Sequence, residues 1–393
     1  MDPRVPDLRR PATVRLLLTG DVMLGRGLDQ VMIHPVEPTL HEPSVRDARD
    51  YVRLAERVNG PIPAPVAPTW PWGESLAAME RLRPDRRLIN LETAVTAAGH
   101  PWPGKGVHYR MHPRHLDSLR VAGIDACVLA NNHVLDWGAE GLGDTLGALA
   151  AAGIAAVGAG GDRRDAQSPL ALPLSGGGRL LVSAWAHPSS GVPRQWAASE
   201  HWGGVAMLPD LDARGLARIA ASLSPLRSSG DLTLVSLHWG GNWVREIPAE
   251  QRRFARALID EGLADVVHGH SSHHPLPLEV HRGKAILYGC GDLINDYEGI
   301  AEPWGQPPGL RSDLACLYLL ELRRSDGALE RLEVVPFRLR RFRLSHLEPP
   351  DREDLERMLG LPAALWRRTA GDGGGGGVPP GWVWEAGAAG GAP

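Results

Sequence analysis

Five short apolar runs in this chain each end in residue types that bind metals or move protons. Leu16-Leu17-Leu18 leads into Gly20-Asp21, and Leu88-Ile89 leads into Asn90-Leu91-Glu92. Val128-Leu129-Ala130 leads into Asn131-Asn132-His133, and Leu234-Val235-Ser236-Leu237 leads into His238. Val266-Val267 opens on His268-Gly269-His270-Ser271-Ser272-His273-His274. Imidazoles this close repel one another when protonated, and a metal holds them neutral. Asp, Glu, Asn and His together are a donor set for a divalent cation. A cation so held polarises carbonyl or phosphoryl oxygens, and neighbouring His and Glu transfer protons.

Each group also has a plainer reading. Asp21 is a metal ligand or the cap of the next helix. Glu92, if buried, needs a partner, either an arginine or a metal. Asn131-Asn132-His133 holds more polar groups than a capping turn requires. In His238-Trp239-Gly240-Gly241-Asn242-Trp243, the tryptophans are core or a substrate platform. Lys105-Gly106-Val107-His108-Tyr109-Arg110 sets two cations about an aromatic, and its arginine suits a carboxylate or phosphate.

These residues need elements that bring them to one place. Short apolar runs between turn signals read as buried strands, and in open α/β sheets ligands bind beyond the carboxyl ends of strands. Strands and helices alternate up to about residue 268, and hairpins follow, as in an α/β fold with mixed sheets. Residues 1–13 read as a polar lead-in and 14–345 as the main domain. Within it, 25–72 is a Pro-rich insertion suited to act as a lid, with one helix near Val45–Val58. Residues 346–370 read as a helical segment. The Gly/Ala/Pro-rich stretch 371–393 reads as a disordered tail, too poor in apolar surface to offset its ordering entropy.

Composition narrows the field. The net charge is -4, and Lys105 and Lys284 are the only lysines, so charge points to no nucleic-acid partner. Cys127, Cys290 and Cys316 are far apart and read as buried thiols. The first residues lack a secretion-type apolar stretch, and no run is long enough to span a membrane, so a cytoplasmic location is expected. Gly158-Ala159-Gly160-Gly161 fails the dinucleotide pattern because its third glycine would fall on Arg163. Neither a phosphate-binding loop nor a serine-nucleophile motif is present. Nothing fixes an oligomeric state.

As a set, the motifs resemble the CapA family, named for poly-γ-glutamate capsule synthesis, within the metallophosphatase-like (calcineurin-like) superfamily. The resemblance spans about Val14 to Leu339. It rests on Gly20-Asp21-Val22-Met23-Leu24-Gly25-Arg26, Asn90-Leu91-Glu92-Thr93, the stretch from Lys105 to Pro113, Asn131-Asn132-His133 through Gly141, His238-Trp239-Gly240, Gly269-His270-Ser271-Ser272-His273, and Gly291-Asp292. It implies a four-layer αββα sandwich with two mixed β-sheets. It implies one or two divalent ions (Mn, Zn, Fe, Ca or Mg) at Asp21, Glu92, Asn132, His133, His238, His270 and His273, with His268 and His274 outside that set. His133, Glu92 and His270 are the candidate catalytic groups. Lys105, Tyr109, Arg110, Trp239, Asn242, Trp243 and Asp292 are the candidate substrate contacts.

Three departures accompany the resemblance. Met23 stands where phosphatase relatives carry a histidine, Glu92 replaces their bridging aspartate, and Asn242 stands where many CapA members have glutamate. The first two imply that one metal site is weak or absent. The expected function is metal-dependent chemistry on an anionic peptide-like or poly-γ-glutamate substrate, by amide hydrolysis or transfer or by Cα epimerisation of a peptide terminus. Phosphoester hydrolysis and non-catalytic binding of poly-γ-glutamate during capsule assembly are the alternatives.

Overall fold

A computed structural model describes residues 12–300, 307, 309–361, 365–369 and 379–387. Two large mixed sheets form its centre. The first is built on Thr13–Val22, whose parallel neighbour is Arg86–Leu91, followed by Ala126–Val128 and Ala155–Val157. On its other side, Leu314–Arg323 and Leu329–Arg340 pair antiparallel. The second sheet runs Leu278–His281, Lys284–Leu287, Val266–His270, Leu232–His238, Arg179–Ala186, Leu170–Pro173. Its four middle strands are parallel and its outer two are antiparallel.

Strand periodicity decides what each face of the second sheet meets. Leu180, Val182, Ala184 and Ala186 enter the large core shared with the first sheet. Leu181 and Trp185 enter a separate core beneath the helices Ala213–Leu223 and Ala249–Asp260. Helices Ser75–Leu82 and Gly138–Ala151 cover the first sheet and add Met79, Leu82, Leu142 and Leu149 to the large core. The result is an αββα sandwich.

The same period of two puts Ser236 and His238 on the inner face with Leu232 and Leu234, and His268 and His270 there with Val266. His268 is a tie between sheets. Its Nε2 meets Thr19 O at 2.7 Å across the interface, and Nδ1 meets Ser236 Oγ at 3.0 Å. Burial lowers its pKa from 6.5 to about 4. A base whose folded pKa is depressed contributes stability that is present above pH 6.5 and lost as pH falls through about 4. His268 alone removes about 3 kcal/mol over that window. His268→Gln should flatten the acid limb of a urea-midpoint-versus-pH curve, and an unchanged limb would contradict this role.

The insertion 25–72 holds two helices, Arg26–Val31 and Arg49–Asn59. Arg26 fixes it to the body of the protein. Its fully buried guanidinium pairs with Asp296 and with Glu42, and lies over the Tyr51 and Tyr109 rings at 3.9 and 4.3 Å. No helix among the described residues is long and apolar enough to cross a membrane.

The expected disordered tail needs correction. Trp382–Glu385 pairs antiparallel with Leu329–Arg340 and buries Trp382, Val383 and Trp384. The glycines and alanines around it dilute an apolar Trp-Val-Trp run that suffices for a strand, which Arg367–Arg368 flanks on its other side. Residues 371–378 and 388–393 of that stretch, and 1–11 of the lead-in, lie outside the described residues.

Candidate metal centre

The strand ends do meet. Asp21 closes its strand between Asn90 and Asp292, which are its register partners on the two neighbouring strands. Gly20 permits this. Its position for a Cβ lies 1.7 Å from Gly291 O, and the Asp21 N–H donates to that oxygen at 2.9 Å. Asp21 is not a helix cap, because the cap of the next helix is Gly25. Its carboxylate is fully buried and accepts from Asn90 Nδ2 (2.8 Å) and Ser271 N (3.2 Å).

Two groups of ligand-type atoms share Asp21. In one, atoms of Asp21, His238 and His270 lie within 4.8 Å of one another. In the other, the same holds for Asp21, His273 and Asp292. Ser271 and His273 adopt left-handed backbone (φ 95° and 60°), which turns the chain so that His270 and His273 approach Asp21 in different groups. His270 Nδ1 meets His238 Nδ1 at 2.7 Å, while His273 Nδ1 meets Asp292 Oδ1 at 2.9 Å. Asp292, expected as a substrate contact, therefore belongs with the second group. Met23 is buried and accepts from Tyr297 OH at 3.5 Å, and the Tyr297 ring in turn stands edge-on to His273. Asp292, which the resemblance gave as a substrate contact, supplies a carboxylate to this second group where Met23 offers no imidazole.

Glu92 forms no ion pair with an arginine among the described residues. Its Oε2 accepts from Asn90 Nδ2 (3.0 Å). Its Oε1 is buried without a hydrogen bond, with His133 Nε2 and His238 Nε2 at 3.8 and 3.9 Å. Asn132 Oδ1 meets His238 Nε2 at 3.2 Å. Asn131 performs the turn's structural work. Its Oδ1 accepts from the N–H of His133 and Val134, and its Nδ2 donates to Asn90 Oδ1 and Leu91 O. Asn132 and His133 are thereby left for the rim.

The charges are poorly balanced without a cation. Burial, then the neighbouring Asp292, raises Asp21 to about 6. Burial, then Asp21 and Asp292, holds Glu92 well above the usual carboxyl range. Burial also raises Asp292, against the opposing pull of His273. His238 and His270 are pushed well below the usual imidazole value by burial and then by neighbouring histidines. Three crowded carboxyls, neutral imidazoles and an orphaned Glu92 oxygen fit a divalent cation, which would relieve each of them.

Beside this rim, His133 is held from behind. Its Nδ1 meets Asp136 Oδ2 at 2.5 Å, and its ring stands edge-on to Tyr109 at 4.8 Å. Asp136 also accepts from Lys105, which donates to Asn132 O as well. Lys105 is therefore a support for the His133 turn, where a substrate contact was expected. Burial raises Asp136, but His133 and Lys105 outweigh it and hold the carboxyl below its usual range. Sequence reasoning omitted Asp136 and Asn90 from the site. Their signals were His133-x-x-Asp136 in one turn and an amide closing an apolar strand.

The other expected substrate contacts are dispersed. Trp239 is core, packed on Phe254 and Tyr288 and donating to Tyr288 O at 3.0 Å. Its place on the outer face beneath the helix Ala249–Asp260 removes it from the rim. Trp243 stays by the cluster, tilted on His273 with centroids 5.3 Å apart. Asn242 is exposed beside it. Tyr109 is fully buried and donates to Asp296 Oδ1 at 3.1 Å. Arg110 lies over Trp137 and not beside Lys105. His274 is bound by Val244 O and Pro275 O.

An αββα sandwich with an Asp/Glu/Asn/His rim at its parallel strand ends is the arrangement that the CapA resemblance implied. Comparison with known sequences refines this. Residues 15–297 match the model of the bacterial capsule synthesis protein PGA_cap, and the chain belongs to that family. It is 47% identical over 350 residues to a "probable polyglutamine synthesis accessory protein" of Mycobacterium tuberculosis, covering 89% of this chain and 91% of that protein. It is 25% identical to the capsule biosynthesis protein CapA of Bacillus anthracis, over 84% of this chain and 69% of that one. A solved structure of a "novel phosphatase" of Mycoplasma pneumoniae aligns over 82% of this chain and 93% of its own, at 13% identity and a TM-score of 0.42.

Proposed function

We propose that this protein is a metal-dependent enzyme that cleaves amide bonds in an anionic, γ-glutamyl-type peptide chain, as an accessory to poly-γ-glutamate synthesis. The observation that carries this is the buried Glu92 oxygen, left without a partner between two imidazole nitrogens of the rim. Asp21, Glu92, Asn132, His238 and His270 would hold one cation, and Asp21, His273 and Asp292 a second. A divalent ion there would supply Lewis-acid polarisation of the reacting carbonyl.

The residues around it handle protons. Asp136 is ionised and accepts only, and at 2.5 Å it is nearer to His133 Nδ1 than Lys105 Nζ is at 3.0 Å, so we assign the hydrogen to Nδ1, which leaves Nε2 facing the rim with a lone pair. Burial lowers the His133 pKa to about 4, with Lys105 adding to the effect and Asp136 opposing it. His133 is therefore neutral at pH 7 and able to take a proton at Nε2, with Asp136 fixing its tautomer. Lys105 compensates the buried Asp136 charge. The family's capsule context supports a γ-glutamyl chain as substrate.

Incubation of the manganese-loaded protein with γ-linked oligoglutamate should release new amino termini, measurable with an amine-reactive dye. His133→Ala should lower that rate by about 100-fold or more while manganese content stays unchanged. Hydrolysis of an aryl phosphate at a higher rate, with the same His133 dependence, would replace this reading with a phosphoester hydrolase. Polymer binding without any turnover would replace it with an assembly factor.

A further inference from the structure

A second set of buried polar atoms without partners lies behind His133. The Tyr109 N–H donates to Asp136 Oδ2 at 2.7 Å, and the flanking residues His108 and Arg110 meet a different group of side chains. Arg110 lays its guanidinium 3.6 Å from the centre of the Trp137 ring and donates from Nη2 to Glu37 O at 3.1 Å. It forms no ion pair with a carboxylate among the described residues. His41 stands edge-on to both His108 and Trp137, with centroids 6.1 and 6.2 Å away. His108 Nε2 donates to Trp102 O at 2.9 Å, which leaves its buried Nδ1 without a partner. Trp137 Nε1 is buried and unpartnered too. The two residues are only 3% and 6% exposed.

An indole N–H can only donate, and leaving it buried and unmade costs about 1–3 kcal/mol. The missing partner of Trp137 is an acceptor, whereas His108 Nδ1, opposite its donating Nε2, is a lone pair that lacks a donor. Arg110 also feels the carboxylates of Asp29 and Glu37, though it pairs with neither. Beyond burial, His108, Arg110 and Arg46 depress the pKa of His41. His41 and Arg46 are exposed, so the group opens to solvent. A guanidinium backed by an aromatic face presents its fork of N–H groups in a plane suited to a carboxylate.

We propose that Arg110, Trp137 and His41 form an anion subsite that holds a carboxylate of the chain whose reacting bond lies at the rim. Trp137 directly follows Asp136, the residue that holds His133, so subsite and rim share one turn. The choice of a carboxylate rests on the γ-glutamyl reading, whereas the anion site itself does not.

The test is calorimetric titration of the full chain, with no metal added, using γ-linked triglutamate as the probe. Arg110→Met should weaken binding about tenfold or more. Trp137→Phe keeps the ring under Arg110 and removes only the N–H, and should weaken binding about fivefold. Unchanged affinity in both variants, or no binding by the natural protein, would overturn the subsite. Arg110-dependent binding of inorganic phosphate, with none of triglutamate, would overturn the carboxylate assignment. No turnover is read, so failure of the amide-cleavage reading leaves these outcomes separate.

Discussion

Asp21→Ala should abolish divalent-cation binding at both groups, whereas His270→Ala and His273→Ala should each remove one. Asp21 is the member common to both sets of ligand atoms. Loss of a hydrogen-bonding support around a metal weakens it about 10–100-fold, and loss of a shared ligand should exceed that. Stability gives an independent reading. A cation at 100 times its dissociation constant stabilises the protein it binds by about 2.7 kcal/mol. Manganese should therefore raise the melting temperature of the natural protein and leave that of Asp21→Ala unmoved. Removing one of three crowded carboxyls relieves repulsion in the metal-free fold, so the variant should remain folded. Equal manganese content in Asp21→Ala and the natural protein, measured by mass spectrometry, would show that Asp21 is no ligand.

Gly20→Ala should be the most damaging small substitution near the site. Its Cβ would fall 1.7 Å from Gly291 O, and both contacting groups are backbone. No rotamer change relieves that, so the central strand or the 290–292 segment must move. The register Asp21 to Asp292 would be lost with it. The cost should reach the order of 4 kcal/mol or more, the tail of single-residue effects. Gly106→Ala is the control, since nothing lies within 4 Å of its Cβ position. A urea midpoint equal to that of Gly106→Ala would contradict the tight Gly20–Gly291 approach.

The rim was readable in the sequence because buried parallel strands all end on the same side. Asp21, Glu92, His133, His238 and His270 needed only that rule. The partition among them was not readable. His270 and His273 look like one motif, yet a left-handed turn at Ser271 and His273 sends them to different groups. Asp292 follows the glycine that packs on Gly20, a contact fixed by the sheet and by no local spacing. Lys105 seemed a free cation because its partner Asp136 comes 31 residues later in a turn of its own. Trp239 was ambiguous until strand parity put it on the outer face with Leu237 in the second core. The strand at Trp382 was hidden by its glycine-rich surroundings.

The central claim is that a divalent cation sits on the rim formed by the strand ends. Crystals grown with manganese, and measured for its anomalous scattering, test it most directly. Peaks are predicted between Asp21, His238 and His270, and between Asp21, His273 and Asp292. Manganese-containing crystals with no anomalous peak at either group would contradict it.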